Sequence, residues 1–284
     1  MTPRLAAVAL SCAGALAALP LSAQTMRSFT AARGILAERQ IIATLDFGAG
    51  TVQIGPAAAS QLYRMEVRYD ADRFQPTQQY DPRTGILKLG LESIGKSGMR
   101  VTSRSQLEQV GDFVFSRTVP LSLSANLGAS DANLELGGLT LTDLTVRSGA
   151  SRATVAFGTP TRGECRHATF TVGAGDIDIT GLANAGCREV RLDGGIGRAT
   201  LDFAGAWKQD ARVTVEMSMG VVTLRIPRGI GVRLDASRFL STLSADGFER
   251  DGKTWITPRF DAAKRKITVG LNTTVASIDV VWID

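Results

Sequence analysis

With 284 residues, 44% of them hydrophobic and 21% charged, the chain suits one large or two smaller globular units and excludes a disordered chain. Thirty glycines are too many for a helical protein, and with no Gly at every third position they exclude collagen. The formal net charge of +5 is small and spread out; its densest basic run, Lys264-Arg265-Lys266, has no interleaved aromatics, which excludes a nucleic-acid patch and leaves a weak attraction to anionic envelope polymers.

Residues 1–23 have the form of a secretory signal. Arg4 opens it, Leu5 to Leu19 is apolar, Pro20 breaks the run and Ala23 offers a small cleavage residue. Fifteen apolar residues are short for a membrane span, so cleavage is expected over a retained anchor. Ala9-Leu10-Ser11-Cys12 is a poor lipobox. Export to the periplasm or outside the cell, with a mature chain that does not span the membrane, is the expectation.

Residues 24–40 are mixed and suit a flexible lead or a short helix. Arg39 to Ile54 holds a first strand, and Leu62 to Tyr69 alternates as a second. Tyr80-Asp81-Pro82-Arg83-Thr84-Gly85 carries turn chemistry, and Ile86 to Leu91 reads as another strand. The Gly/Ser-rich stretch 92–111 is expected as a loop or linker. The division expected is therefore a β module with its linker over 24–118, then a main β unit over 119–284.

A seven-fold repeat organises the rest. Its anchors are Gly48, Gly128, Gly149, Gly173, Gly195, Ser218 and Asn272, the middle ones 21 to 24 residues apart. Two residues on, each copy is Gly, Ser or Thr. Four and six on, each is small or aliphatic, as in Ile177/Ile179 and Ala199/Leu201; five on, each is polar, as in Asp178 and Thr200. Alternation behind a glycine corner describes a short strand with one buried face, and the spacing is that of a solenoid. Pairs such as Val190/Leu192 and Val213/Val215 before each corner mark a second short strand per coil. Pro227 to Val232 is a further corner. Residues 237–263, with Phe239, Phe248, Trp255 and Phe260, suit a cap on the last coil, and Ile267 to Val280 closes the chain.

Cys165 and Cys187 each stand eight residues before an anchor. Stacked strands lie about 4.8 Å apart, and a disulfide wants Cα atoms about 4.4 to 6.8 Å apart. Register and an oxidising compartment both favour a bridge over two free thiols. The single histidine cannot complete a zinc site with two sulfurs.

No catalytic residue is expected. His167 falls at a repeat position occupied by charged residues elsewhere, which suits a surface side chain. Asp178 is the one acid in its outward ladder, and Asp202 and Arg225 suit a surface ion pair. No nucleophile elbow, Walker loop, His-Glu-x-x-His or Cys-x-x-Cys appears, so no cofactor or metal is expected.

The run Gly194 to Gly205 (GGIGRATLDFAG), with Met219 to Pro227 and Gly229 to Val232, resembles toastrack-type β-solenoid domains, relatives of the C-terminal domain of LiaF-like envelope-stress proteins and of adhesin-type domains. Phe47 to Gly50 followed by Leu62 to Tyr69 looks like their N-terminal module, and the likeness covers roughly residues 40–280. It implies an all-β, right-handed β-solenoid in an envelope or extracellular setting, with sensing or adhesion through protein partners and no catalytic residues to carry over. The chain departs from LiaF-like proteins in having no set of membrane helices. Two functions follow: a binding or scaffold module contacting an envelope protein or surface polymer, with self-association through the solenoid ends, or a glycan-acting enzyme on the same scaffold.

Overall fold

The structure is a computed structural model and describes residues 25–94, 108–252 and 254–284. The signal-like segment lies outside these residues, as does most of the expected linker.

Among the described residues, sixteen strands form one open sheet. Its spine is six long parallel strands: β2 (Ile41–Pro56), β7 (Leu121–Glu135), β8 (Leu141–Ala156), β9 (His167–Thr180), β10 (Glu189–Asp202) and β11 (Ala211–Pro227). Each makes one coil of a β-solenoid, stacked in register on the next. Leu134, Val155, Ile179, Leu201 and Leu224 are successive partners, and all are fully buried. Positions four and six past each corner line the core, as the alternation requires, while position five faces outward. Truncating Leu201→Ala removes an interior member of this column and should cost about 2–5 kcal/mol. An unchanged melting temperature would contradict that burial.

The corners differ from the expectation of two short strands per coil. Each long strand runs through its corner, where the ladder skips position zero, or positions zero to two between β7 and β8, and resumes in the same register. In β8 to β11 positions zero and one both face outward, in β7 both are half-buried, and in β2 Ala49 at position one is buried instead; in each strand the buried set shifts from odd offsets before the corner to even offsets after it. In four coils a left-handed glycine at position two makes that shift: Gly50, Gly175, Gly197 and Gly220 have φ from 118° to 146°.

The last coil is displaced from the expected frame. β16 (Lys266–Ile283) sets Gly220 against Ala276 and Leu224 against Val280, so its corner is Thr274 rather than Asn272. A shift of two keeps every side chain on its face, which is why the alternation alone did not reveal it. Ala276 and Ile278 are buried in either frame.

Both ends of the spine are covered. The outer side of β2 is shared by β5 (Ile86–Ser93) along its first half and β6 (Val110–Phe115) along its second. β4 (Phe74–Asp81) then pairs β5; β3 (Gln61–Asp70) pairs β6, and β1 (Met26–Gly34) pairs β3, all antiparallel. The expected lead or helix at 24–40 is thus mainly an edge strand, and the polar stretch ending at 111 runs into a strand. At the other end β16 is inserted beside β11, and the 237–263 excursion lies beyond it. β12 (Gly231–Arg238) and β13 (Thr242–Ser244) lie along successive halves of β16, with the hairpin of β14 (Glu249–Asp251) and β15 (Thr254–Ile256) outside β12. Phe248 packs on Trp282 with ring centroids 5.3 Å apart.

Candidate functional site: the corner trough

The corners stack into a shallow trough along one edge of the solenoid. Toward the N-terminal end it holds about 720 Å³ over Gly48, Gly128 and Gly149, walled by Asp46, Asn126 and Arg147. Toward the C-terminal end it holds about 750 Å³ over Gly195, Ser218 and Thr274, walled by Asp193, Glu216 and Asn272 and closed by Arg238 and Phe239 of the cap. The two stretches use the same repeat positions, so together they draw on all seven coils. The floor is low because corner side chains are absent or small. A Cβ at Gly194 would lie 2.8 Å from the Met217 sulfur, so glycine there makes room for the neighbouring methionine.

The walls are cross-linked between coils. Asn126 Nδ2 donates to Asp46 Oδ1 at 2.7 Å, and Arg147 donates to Ser124 Oγ at 3.4 Å and Asn126 Oδ1 at 3.5 Å. Arg191 lies 2.9 Å from both Asp193 and Glu216. The Asp193 hydrogen bond, then the charges of Asp193 and Glu216, hold the Arg191 guanidinium above its ordinary pKa. These bonds fix wall side chains on a rigid scaffold, which suits recognition.

The residues singled out from sequence lie away from the trough. His167 is exposed, with Nδ1 3.3 Å from Asp143 and Nε2 3.7 Å from Glu189, its partners in the ladder. Asp178 faces outward between Thr154 and Thr200. Asp202 and Arg225 do pair, at 3.4 Å, but Asp202 is buried and its Oδ1 accepts from Ala204 N–H at 2.8 Å, which makes it a turn-forming group. Cys165 and Cys187 are disulfide-bonded with Cα atoms 4.3 Å apart. Among the described residues, no group of three or more His, Cys, Asp or Glu side chains is placed to hold a metal ion. Among the same residues, no helix is long and apolar enough to cross a membrane. Sequence reasoning missed the trough; its signal was the run of glycine and serine at position zero beside polar residues two places earlier.

Residues 29–180, more than half of the chain, match the family described as the N-terminal domain of toast_rack, DUF2154. Among solved structures, a proposed cell adhesion protein from Clostridium sporogenes ATCC 15579 is 15% identical with a TM-score of 0.47, the match covering 91% of this chain and 100% of that one. A proposed adhesin from Bacteroides fragilis NCTC 9343 is 11% identical with a TM-score of 0.39, covering 90% and 97% respectively. No curated protein matches. At these identities and TM-scores the likeness transfers no role.

Proposed function

Because this chain belongs to the toast_rack family, we propose that it is an exported, non-catalytic binding or scaffold protein of the cell envelope, in envelope-stress sensing or adhesion, with its partner held along the corner trough. The observation that carries this reading is the trough itself, to which every coil contributes its wall position and six of the seven their floor position. A long shallow channel with fixed polar walls suits an extended envelope protein segment or surface polymer. Export is supported by the Arg4 to Ala23 pattern and agrees with a buried disulfide. Catalysis finds no support in the placement of the ionisable groups: Asp178 is an isolated outward acid and Asp202 is engaged in a turn.

The test is capture of envelope fractions by the purified mature chain, beside a turnover screen on bacterial glycans and peptides. Arg147 is exposed and bonded only to uncharged groups in the wall. Arg147→Glu should lower capture about tenfold, since a reversed wall charge repels what the native one attracts. Turnover abolished by Asp178→Asn or Asp202→Asn would instead establish the glycan-acting enzyme.

A further inference from the structure

Basic charge gathers on an edge of the solenoid away from the trough. The links that enter β10, β11 and β16 stack on one another. Arg212 N–H donates to the Arg188 carbonyl at 2.9 Å, Gln209 Nε2 to the Gly186 carbonyl at 3.1 Å, and Lys266 N–H to Asp210 Oδ1 at 3.0 Å. This stacking brings Arg188, Lys208, Arg212, Lys264, Arg265 and Lys266 to one edge, all exposed except the half-buried Lys266. The edge lies four to six residues before the trough walls at Asp193, Glu216 and Asn272, about 13–20 Å along the strands.

Two acids share this edge, and both are engaged elsewhere. Glu189 lies 3.7 Å from His167 Nε2, and Asp210 holds the Lys266 backbone amide. The cations contact neutral groups instead. Lys208 Nζ donates to the Thr161 carbonyl at 3.5 Å, Arg265 Nε to the Trp207 carbonyl at 3.4 Å, and Lys266 Nζ stands 5.2 Å over the Phe260 ring. The surroundings are balanced. Toward β8, Arg162 and Arg166 stand with Glu164 and Asp143; beyond Lys264, exposed Arg259 and Asp261 cancel; on β12, Arg233 pairs with Asp251. Six cations against two acids leave the edge a surplus of four positive charges. The stacked links hold these like charges side by side, which costs stability unless an opposite charge is supplied.

We propose that this edge binds an envelope polymer carrying anionic groups along its length. Stacked coils are spaced about 4.8 Å apart, so successive anionic groups of one polymer chain meet successive links, whereas a single small anion meets the cations of one. Large exposed apolar side chains such as Ile196 and Phe239 belong to the corner and the cap, and none among the described residues lies in these links. Nothing on the edge is therefore suited to insert between lipids, which favours a polymer over a bilayer. The attraction works through release of the polymer's counterions and does not rest on the trough.

The test is binding of labelled long-chain inorganic polyphosphate to the mature chain across a salt series. The wild type should bind at about 50 mM salt and lose at least about tenfold in affinity by about 200 mM. The combined variant Arg188→Gln, Arg212→Gln, Lys264→Gln and Arg265→Gln should bind at least about tenfold more weakly and with a shallower salt slope. A matched variant, Arg68→Gln, Arg83→Gln, Arg152→Gln and Arg198→Gln, changes the net charge equally at other sites and should cost less than about threefold. All eight positions are exposed, so both variants should keep the wild-type melting temperature. The proposal is overturned by a wild type that does not bind, by an edge variant that binds as well as wild type, or by a matched variant that loses as much. Phosphatidylglycerol vesicles bound as tightly as polyphosphate would also overturn it, by giving the edge to a lipid surface.

Discussion

Gly197→Ala should be among the most damaging single substitutions in the chain, lowering stability by about 3–5 kcal/mol. Gly197 has a φ of 146°, and its register partners Gly175 and Gly220 have 135° and 140°. A Cβ at Gly197 would fall on the backbone carbonyl oxygen of Gly175, well inside van der Waals contact. A backbone atom cannot rotate away, so β10 must lift from β9 or give up the corner. Either response breaks parallel hydrogen bonds at the middle of the stack, where a coil is held only by its two neighbours. Gly270→Ala is the control. Gly270 also lies in a long strand, but its Cβ would enter open space and its φ is not in the left-handed region. There alanine should stabilise by about 0.5–1 kcal/mol through lost freedom of the unfolded chain. Urea denaturation of the two variants separates these effects; coincident midpoints would refute the corner argument.

The same corner explains what could be read from the residues beforehand. The spine was legible because alternation reports one buried face directly, and the recurrence of Ala/Leu or Ile/Ile pairs at positions four and six reports stacking. The edge strands were not. β1, Met-Arg-Ser-Phe-Thr-Ala-Ala-Arg-Gly, buries none of its side chains fully, and it is a strand because β3 offers it a ladder. β4 carries Pro76 and a run of glutamines, composition that suits an edge and reads as a loop.

The apolar line Ile196, Met219 and Val275 beside the trough was hidden by the frame of the last coil. With Asn272 as anchor, position one is Thr273, a buried polar residue, and the apolar line ends at Met219. With Thr274 as anchor, position one is Val275 and the line continues into Phe239 and Leu240. A slip of two leaves the core unchanged and erases the surface, because core positions repeat with period two and the corner occurs once per coil. Core packing is thus easily read from such a repeat, and its outer surface is read only once register is known.

The disulfide should contribute about 3 kcal/mol, and its location explains why a repeat protein keeps one. Cys165 and Cys187 lie in the links before β9 and β10, outside the strand ladders, with a sequence separation of 22 residues. Closing a loop of that length restricts the unfolded chain by about 3 kcal/mol in the chain-entropy account. The folded links already meet through Thr161 Oγ1 on the Ala185 carbonyl at 2.7 Å and Arg188 N–H on the Cys165 carbonyl at 3.2 Å. Those bonds hold the links together in the native state only; the bridge holds them in the unfolded state as well. Cys165→Ala with Cys187→Ala should therefore lower the melting temperature by about 6–12 °C in a unit of this size while leaving the far-ultraviolet spectrum unchanged. Both sulfurs are buried, so a mild reductant should act on the bridge only as the chain opens. Non-reduced mass spectrometry of exported protein should give one linked peptide pair containing Cys165 and Cys187. Chain made in a reducing cytosol should lack the pair and melt like the double variant. Two alkylatable thiols in exported protein would remove both the bridge and one support for the envelope setting.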